Sequence, residues 1–127
     1  MLAFHMLCHE DDQRAAEIAR EPLNGYLKSL VDAAGHWLTG TNSADYPGYD
    51  KIIAGLSRES FDSQVAKNAA WIGSPARIRD QIAAALESFG RFEIASLQVN
   101  FNTVGVDDAE RSMRLFAQEV MPAFVDA

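Results

Sequence analysis

Three histidines, a single cysteine and a run of three acids are the side chains of this 127-residue sequence best suited to chemistry: His5, His9 and His36, Cys8, and Glu10-Asp11-Asp12. His5 and His9 stand four apart in AFHMLCHEDD, which reads as a strand running into a loop. Strand spacing puts them on one face but roughly 13 Å apart, at about 3.3 Å of rise per residue. One metal ion does not bridge that gap, so no metal site is expected. His5 is the first candidate for direct action, because a mid-strand imidazole inside a barrel would face its lumen and titrate near neutrality. Cys8 excludes an internal disulfide and any cysteine-based zinc cluster within one chain, and on an apolar strand it reads as packed core. The three acids could be paired catalytic carboxylates, but their place at a helix start has a sufficient structural cause, since carboxylates are stabilised by the positive end of the helix dipole.

Two amides carry more information. Gln98 and Asn100 alternate with Leu97, Val99 and Phe101 in IASLQVNF, so two polar groups share one face of an otherwise apolar strand. Such groups must reach water or be hydrogen-bonded. In a closed parallel barrel that face is a polar lumen beside a ligand, and in an open sheet it is the wet side.

The stretch WIGSPARIRDQI (71–82) sets a glycine and a helix-start signal behind an apolar pair. Free N–H groups at a helix N-terminus can hold a phosphate. No GxGxxG or GxxxxGK[ST] pattern is present, however, and Pro75 removes one donor, so Ser74 as N-cap with Pro75 at the first helical position is the simpler account.

These residues must be positioned by alternating strands and helices. A buried strand is predicted over Leu2 to Cys8. A long apolar stripe from Ala15 to Ala34 predicts a helical pair or one helix kinked at Pro22, closed by Gly35. His36 to Tyr49 (HWLTGTNSADYPGY) reads as an irregular loop insertion, followed by short helices at Asp50–Leu56 and Ser60–Asn68. A short third strand falls at Ala69 to Ile72. The helix begun at Ser74 ends at Gly90, a strand covers Ile94 to Phe101, and a last helix starts at a capping-box-like Asp107…Glu110 and runs to Pro122. Strands alternating with helices predict an α/β fold with parallel pairing, in one domain over residues 1–127.

The composition is 48% hydrophobic and 23% charged, that of an ordinary soluble domain. A formal charge of -7 argues against nucleic acid and anionic membranes as partners, since both require a basic face. The apolar N-terminal run is too short to span a bilayer and lacks a basic flank, which implies a cytoplasmic protein.

The order WIGSPARIRDQIAAALESFG, then SLQVNF, then RSMRLFAQEVMPAF, resembles the C-terminal third of the luciferase-like monooxygenases, flavin-dependent enzymes on a TIM-barrel scaffold. FHMLCHEDDQRAAEIAREPLNGYLKSL is similar to a strand and helix of the same family. The resemblance implies the last βα units of a (β/α)8 barrel, with the earlier strands absent, completed by self-association or by a partner. It further implies FMN as cofactor, with deazaflavin the alternative used by related barrels, and a small organic substrate oxygenated with reduced flavin and dioxygen. By the same resemblance, and because barrel ligands sit at the C-terminal ends of strands, His5, His9, Asn100 and Asn102 are the candidates for contact with flavin or substrate. The alternative is a non-catalytic assembly module that forms a homodimer through exposed strand edges or docks on a longer flavoprotein.

Overall fold

The computed structural model describes residues 1–35 and 48–125. Three parallel strands, β1 (Leu2–Cys8), β2 (Ala70–Gly73) and β3 (Ala95–Gln98), form one sheet in the order β2-β1-β3. Helix α1 (Asp12–Ala34) follows β1, the short helices α2 (Tyr49–Leu56) and α3 (Phe61–Ala66) precede β2, α4 (Pro75–Phe89) follows β2, and α5 (Val106–Glu119) follows β3, with a 3-10 turn at Met121–Phe124.

Alternation along β1 builds two cores. Phe4, Met6 and Cys8 point to one face, where Trp71, Ile78, Ile82, Ala85 and Val120 close over them. Phe4 and Trp71 stack with ring centroids 4.0 Å apart, and Trp71 is almost wholly buried. On the other face Leu7 joins Ala70 and Ile72 beneath the α1 stripe Ala15, Ala19, Leu23 and Leu27, with Phe61 and Phe101 at the margins. Small residues at 15 and 19 let α1 lie close to the strands. Losing a fully buried side chain such as Leu23 costs roughly 2–5 kcal/mol.

Helices therefore cover both faces, and the central strand is the first in the chain. Consecutive strands of a (β/α)8 barrel lie side by side in chain order with their helices on the outside only. The expected α/β class and parallel pairing are present, but the sheet is open and doubly wound, with its order switching at β1 as in the 2-1-3 start of flavodoxin-like sheets.

Several boundaries differ from expectation for identifiable reasons. Pro22 neither splits nor ends α1 and is buried within one continuous helix. Gly35 stays right-handed, with its N–H on the Asp32 carbonyl. Of the expected loop insertion, residues 36–47 lie outside those described; Gly48 is left-handed and Tyr49 already begins α2. The Ser60 cap forms a reciprocal capping box with Ser63, as N-cap chemistry requires. The expected Asp107 capping box does not form: Gly105 is the N-cap of α5, and Asp107 and Asp108 occupy its first turn, where they favour the dipole without a side-chain cap.

The strand expected over Ile94 to Phe101 leaves the sheet after Gln98. The N–H of Cys8, which faces the β3 side, is taken at 2.8 Å by the hydroxyl of Ser112 in α5. Ser112 is fully buried and also points its hydroxyl at the sulfur of Met6, 3.5 Å away. A side chain thus replaces the ladder where β3 ends. No described helix is long and apolar enough to cross a membrane.

Candidate functional site

His5 lies at the centre of the middle strand, in register with Ala70 of β2 and Gln98 of β3. Its ring meets Tyr26 of α1 edge-on at 4.5 Å between centroids and Phe101 at 5.0 Å. Nε2 is buried, and no group among the described residues hydrogen-bonds it. Burial holds the imidazole below the ordinary histidine value, so it is neutral near pH 7. An imidazole nitrogen left without a partner costs about 1–3 kcal/mol, and a ligand donor or acceptor would relieve it.

The face that carries His5 is only half covered. α1 lies over β2 and the end of β1, whereas Ala3, Ser96 and Gln98, which share the face by register, are exposed. Phe101 is buried at its margin, and Asn102 closes against α1. A Cβ on Gly25 would sit 3.0 Å from Oδ1 of Asn102, so the close approach of that amide accounts for a glycine in mid-helix. Asn102 itself adopts a left-handed backbone, φ 52°, as asparagine tolerates in a turn. His5, Tyr26, Gln98, Phe101 and Asn102 therefore surround one partly open, aromatic and amide-lined face.

The other two candidates do not join it. His9 follows the end of β1 and is used locally: its N–H donates to the Gly73 carbonyl and its Nδ1 accepts the N–H of Asp11, each at 3.0 Å. Asn100 is exposed and lies past the end of β3, outside the paired strand. Sequence alternation extends the strand three residues beyond Gln98, where pairing stops. Tyr26 and Phe101, missed as site residues, belong to apolar stripes, and only the tertiary placement of His5 between them singles them out.

The helix start at Ser74 does not offer a free anion site. The Ser74 hydroxyl caps the N–H of Arg77 at 3.3 Å, and the Ser74 N–H is taken by the carboxylate of Asp12 at 2.6 Å. That hydrogen bond holds Asp12 below the usual carboxylate range, aided by Arg77. Asp11 caps α1 through the N–H of Arg14 at 2.9 Å, so two of the three acids have structural partners.

Cys8 is buried, and desolvation, with Glu10 nearby, pushes its thiol up to about 12, which leaves it unreactive at neutral pH. Two surface grooves among the described residues lie away from His5. One of about 340 Å³ runs along the charged stripe of α5 beside Glu10, and one of about 560 Å³ runs along α1 over Gln13, Glu17 and Arg20. Their walls are chiefly solvated charges, with Arg114 already paired to Glu110 at 2.8 Å.

The His5 face offers aromatic edges and exposed amides, while the unpartnered Nε2 beneath them is itself closed to solvent. A flavin phosphate does not fit the described residues, because Asp12 occupies the start of α4, and Asp107 and Asp108 the start of α5.

No family model matches the chain, and no curated protein matches it. Among solved structures it is similar to the monooxygenase RslO1 from Streptomyces bottropensis, with a TM-score of 0.63 and 24% identity. The match covers 97% of this chain and 30% of that one, so the chain spans under a third of the length of the enzyme it resembles, and at this identity the likeness is one of fold.

Proposed function

We propose that this chain is a segment of a luciferase-like, flavin-dependent monooxygenase, in which the face around His5 receives the flavin ring or the organic substrate. The observation that carries this is the conjunction of that face, with its unpartnered His5 Nε2, and a fold likeness to a monooxygenase over 97% of the chain. The order of WIGSPARIRDQI, SLQVNF and EVMPAF supports the same family. The barrel enters only as the family's scaffold, since the described sheet is open and doubly wound.

In this reading binding uncovers His5 Nε2, which is closed to solvent in the free chain, so that it holds a donor or acceptor of the bound molecule; Tyr26 and Phe101 exclude water from its rim, and Gln98 and Asn102 orient polar groups. Because the imidazole is neutral, it supplies a hydrogen bond rather than a charge.

Titration of the purified chain with riboflavin, followed by quenching of flavin fluorescence, tests the proposal. Quenching that His5→Ala weakens about tenfold, equivalent to about 1.4 kcal/mol, is expected. Absence of quenching by the wild-type chain, or equal quenching by the variant, contradicts it.

A further inference from the structure

Two aromatic rings close over His5, and the chain holds them in different ways. Tyr26 stands inside α1, between the buried Leu23 and Leu27, so its backbone is fixed by a 23-residue helix. Phe101 stands on the connection between the end of β3 at Gln98 and the Gly105 cap of α5. It is 4% exposed, whereas Asn100, Asn102 and Thr103 on either side of it are exposed.

That connection is lightly tied. Pairing with β1 stops at Gln98, and within residues 99–104 the one backbone hydrogen bond among the described residues runs from the Val104 N–H to the Phe101 carbonyl at 3.2 Å, closing a turn on itself. Asn102, left-handed at φ 52°, lays its amide against Gly25 of α1. Val99 packs on the core of Phe4 and Trp71, and Val104 on the core of Leu7 and Leu23, so the two ends are anchored on opposite faces with Phe101 between them.

The sheet does not depend on this segment. The Cys8 N–H is held by the hydroxyl of Ser112 at 2.8 Å, so lifting residues 100–103 leaves it paired. What lifting uncovers is Phe101 and the His5 ring beneath it, whose Nε2 has no partner while the segment is down. Segments with few hydrogen bonds and few buried apolar side chains open locally, at less cost than global unfolding.

We propose that residues 100–103 form a lid, anchored at Val99 and Val104, whose Phe101 plug closes over His5 and whose opening admits a ligand to Nε2. The lid rests on the reading of the His5 face given above for what it admits. Its opening is a property of the free chain and is measured without that ligand. A molecule that hydrogen-bonds Nε2 interacts with the open state alone and so shifts the population toward it.

Carbethoxylation by diethyl pyrocarbonate, located at His5 by peptide mass spectrometry, reads the opening. In the native chain His5 should react slowly, at a rate almost independent of urea below the unfolding transition, because a local opening exposes little surface. Phe101→Ala removes the plug and should speed the reaction about tenfold or more. The pair Gly25→Cys and Asn102→Cys fastens the lid to α1: a Cβ at position 25 would lie 3.2 Å from Cγ of Asn102, which brings the two β-carbons near the disulfide range of about 3.5–4.5 Å. Cys8 does not compete, being buried with its thiol pushed up to about 12. Oxidation of the pair should slow carbethoxylation of His5 about tenfold or more, and reduction should restore it. A His5 that reacts only through global unfolding, a rate that Phe101→Ala leaves unchanged, or a rate indifferent to oxidation of the pair overturns the lid. A chain that opens by these measures but does not bind riboflavin keeps the lid and overturns the flavin reading alone.

Discussion

The carboxylate of Asp12, in the first turn of α1, accepts the backbone N–H of Ser74 at 2.6 Å and so ties the loop after β1 to the start of α4. The chain supplies its own anion where a phosphate would otherwise bind. Replacing Asp12 with alanine should cost about 1 kcal/mol in chemical denaturation, the lower part of the range for a charge-assisted bond because the carboxylate is exposed. The folded pKa of Asp12 is depressed, so its contribution is present above the ordinary carboxylate value and is lost as pH falls through the depressed one. Wild type and Asp12→Ala should therefore converge in stability in acid; a difference that persists unchanged at low pH would assign the effect to something other than this carboxylate.

Gly73 makes that contact possible. A Cβ there would lie 2.8 Å from Oδ1 of Asp12 and 2.6 Å from Cδ of Arg77, at a backbone φ of 153°. Gly73→Ala should destabilise by about 1–3 kcal/mol through strain and displacement of the carboxylate. In the Asp12→Ala background the cost should shrink, and a double-mutant cycle with no coupling would show that the two residues do not act together.

Much of this arrangement was legible in the sequence, and the failures have physical causes. Ser74-Pro75 and Gly90 bounded α4 because cap chemistry is local, and the short strand at Trp71 followed from its apolar run. The partner of Ser74 was not legible, since Asp12 lies 62 residues away and looked sufficiently explained by its own helix. Sequence alternation overextends β3 because it continues through Val99 and Phe101, whereas pairing stops where Ser112 takes the Cys8 N–H. A lone serine on an apolar helical stripe carries no signal of that role. The order of the strands was equally hidden, since short parallel strands of similar composition do not declare their neighbours.

Ser112 should behave as a structural acceptor. Ser112→Ala leaves the Cys8 N–H buried without a partner, so a loss of about 1–3 kcal/mol is expected. The amide of Cys8 should also exchange faster relative to the global unfolding rate. Unaltered exchange at Cys8 would mean that the hydroxyl is not what holds the end of β1.

His5 should make stability depend on pH. Its folded pKa lies below the ordinary 6.5 because burial penalises the charged ring. The unfolded chain then takes up the proton first as pH falls. Stability from the neutral ring is full above the unfolded value and declines as pH drops toward the lowered folded one. His5→Phe, which keeps an aromatic ring between Tyr26 and Phe101, should flatten that decline as pH falls through the ordinary 6.5 toward the lowered folded value. Parallel stability profiles for variant and wild type would show that His5 does not titrate with folding.

The proposed function has the face around His5 receive a flat ring and gives its phosphate no partner among the described residues. Fluorescence titrations of the intact chain with riboflavin and with FMN, side by side at low salt, test this most directly. Equal dissociation constants for the two are predicted, because the ring makes the contacts and the phosphate makes none. FMN binding at least about tenfold tighter, a gain of about 1.4 kcal/mol from the phosphate, would contradict the account, as would the absence of binding by both.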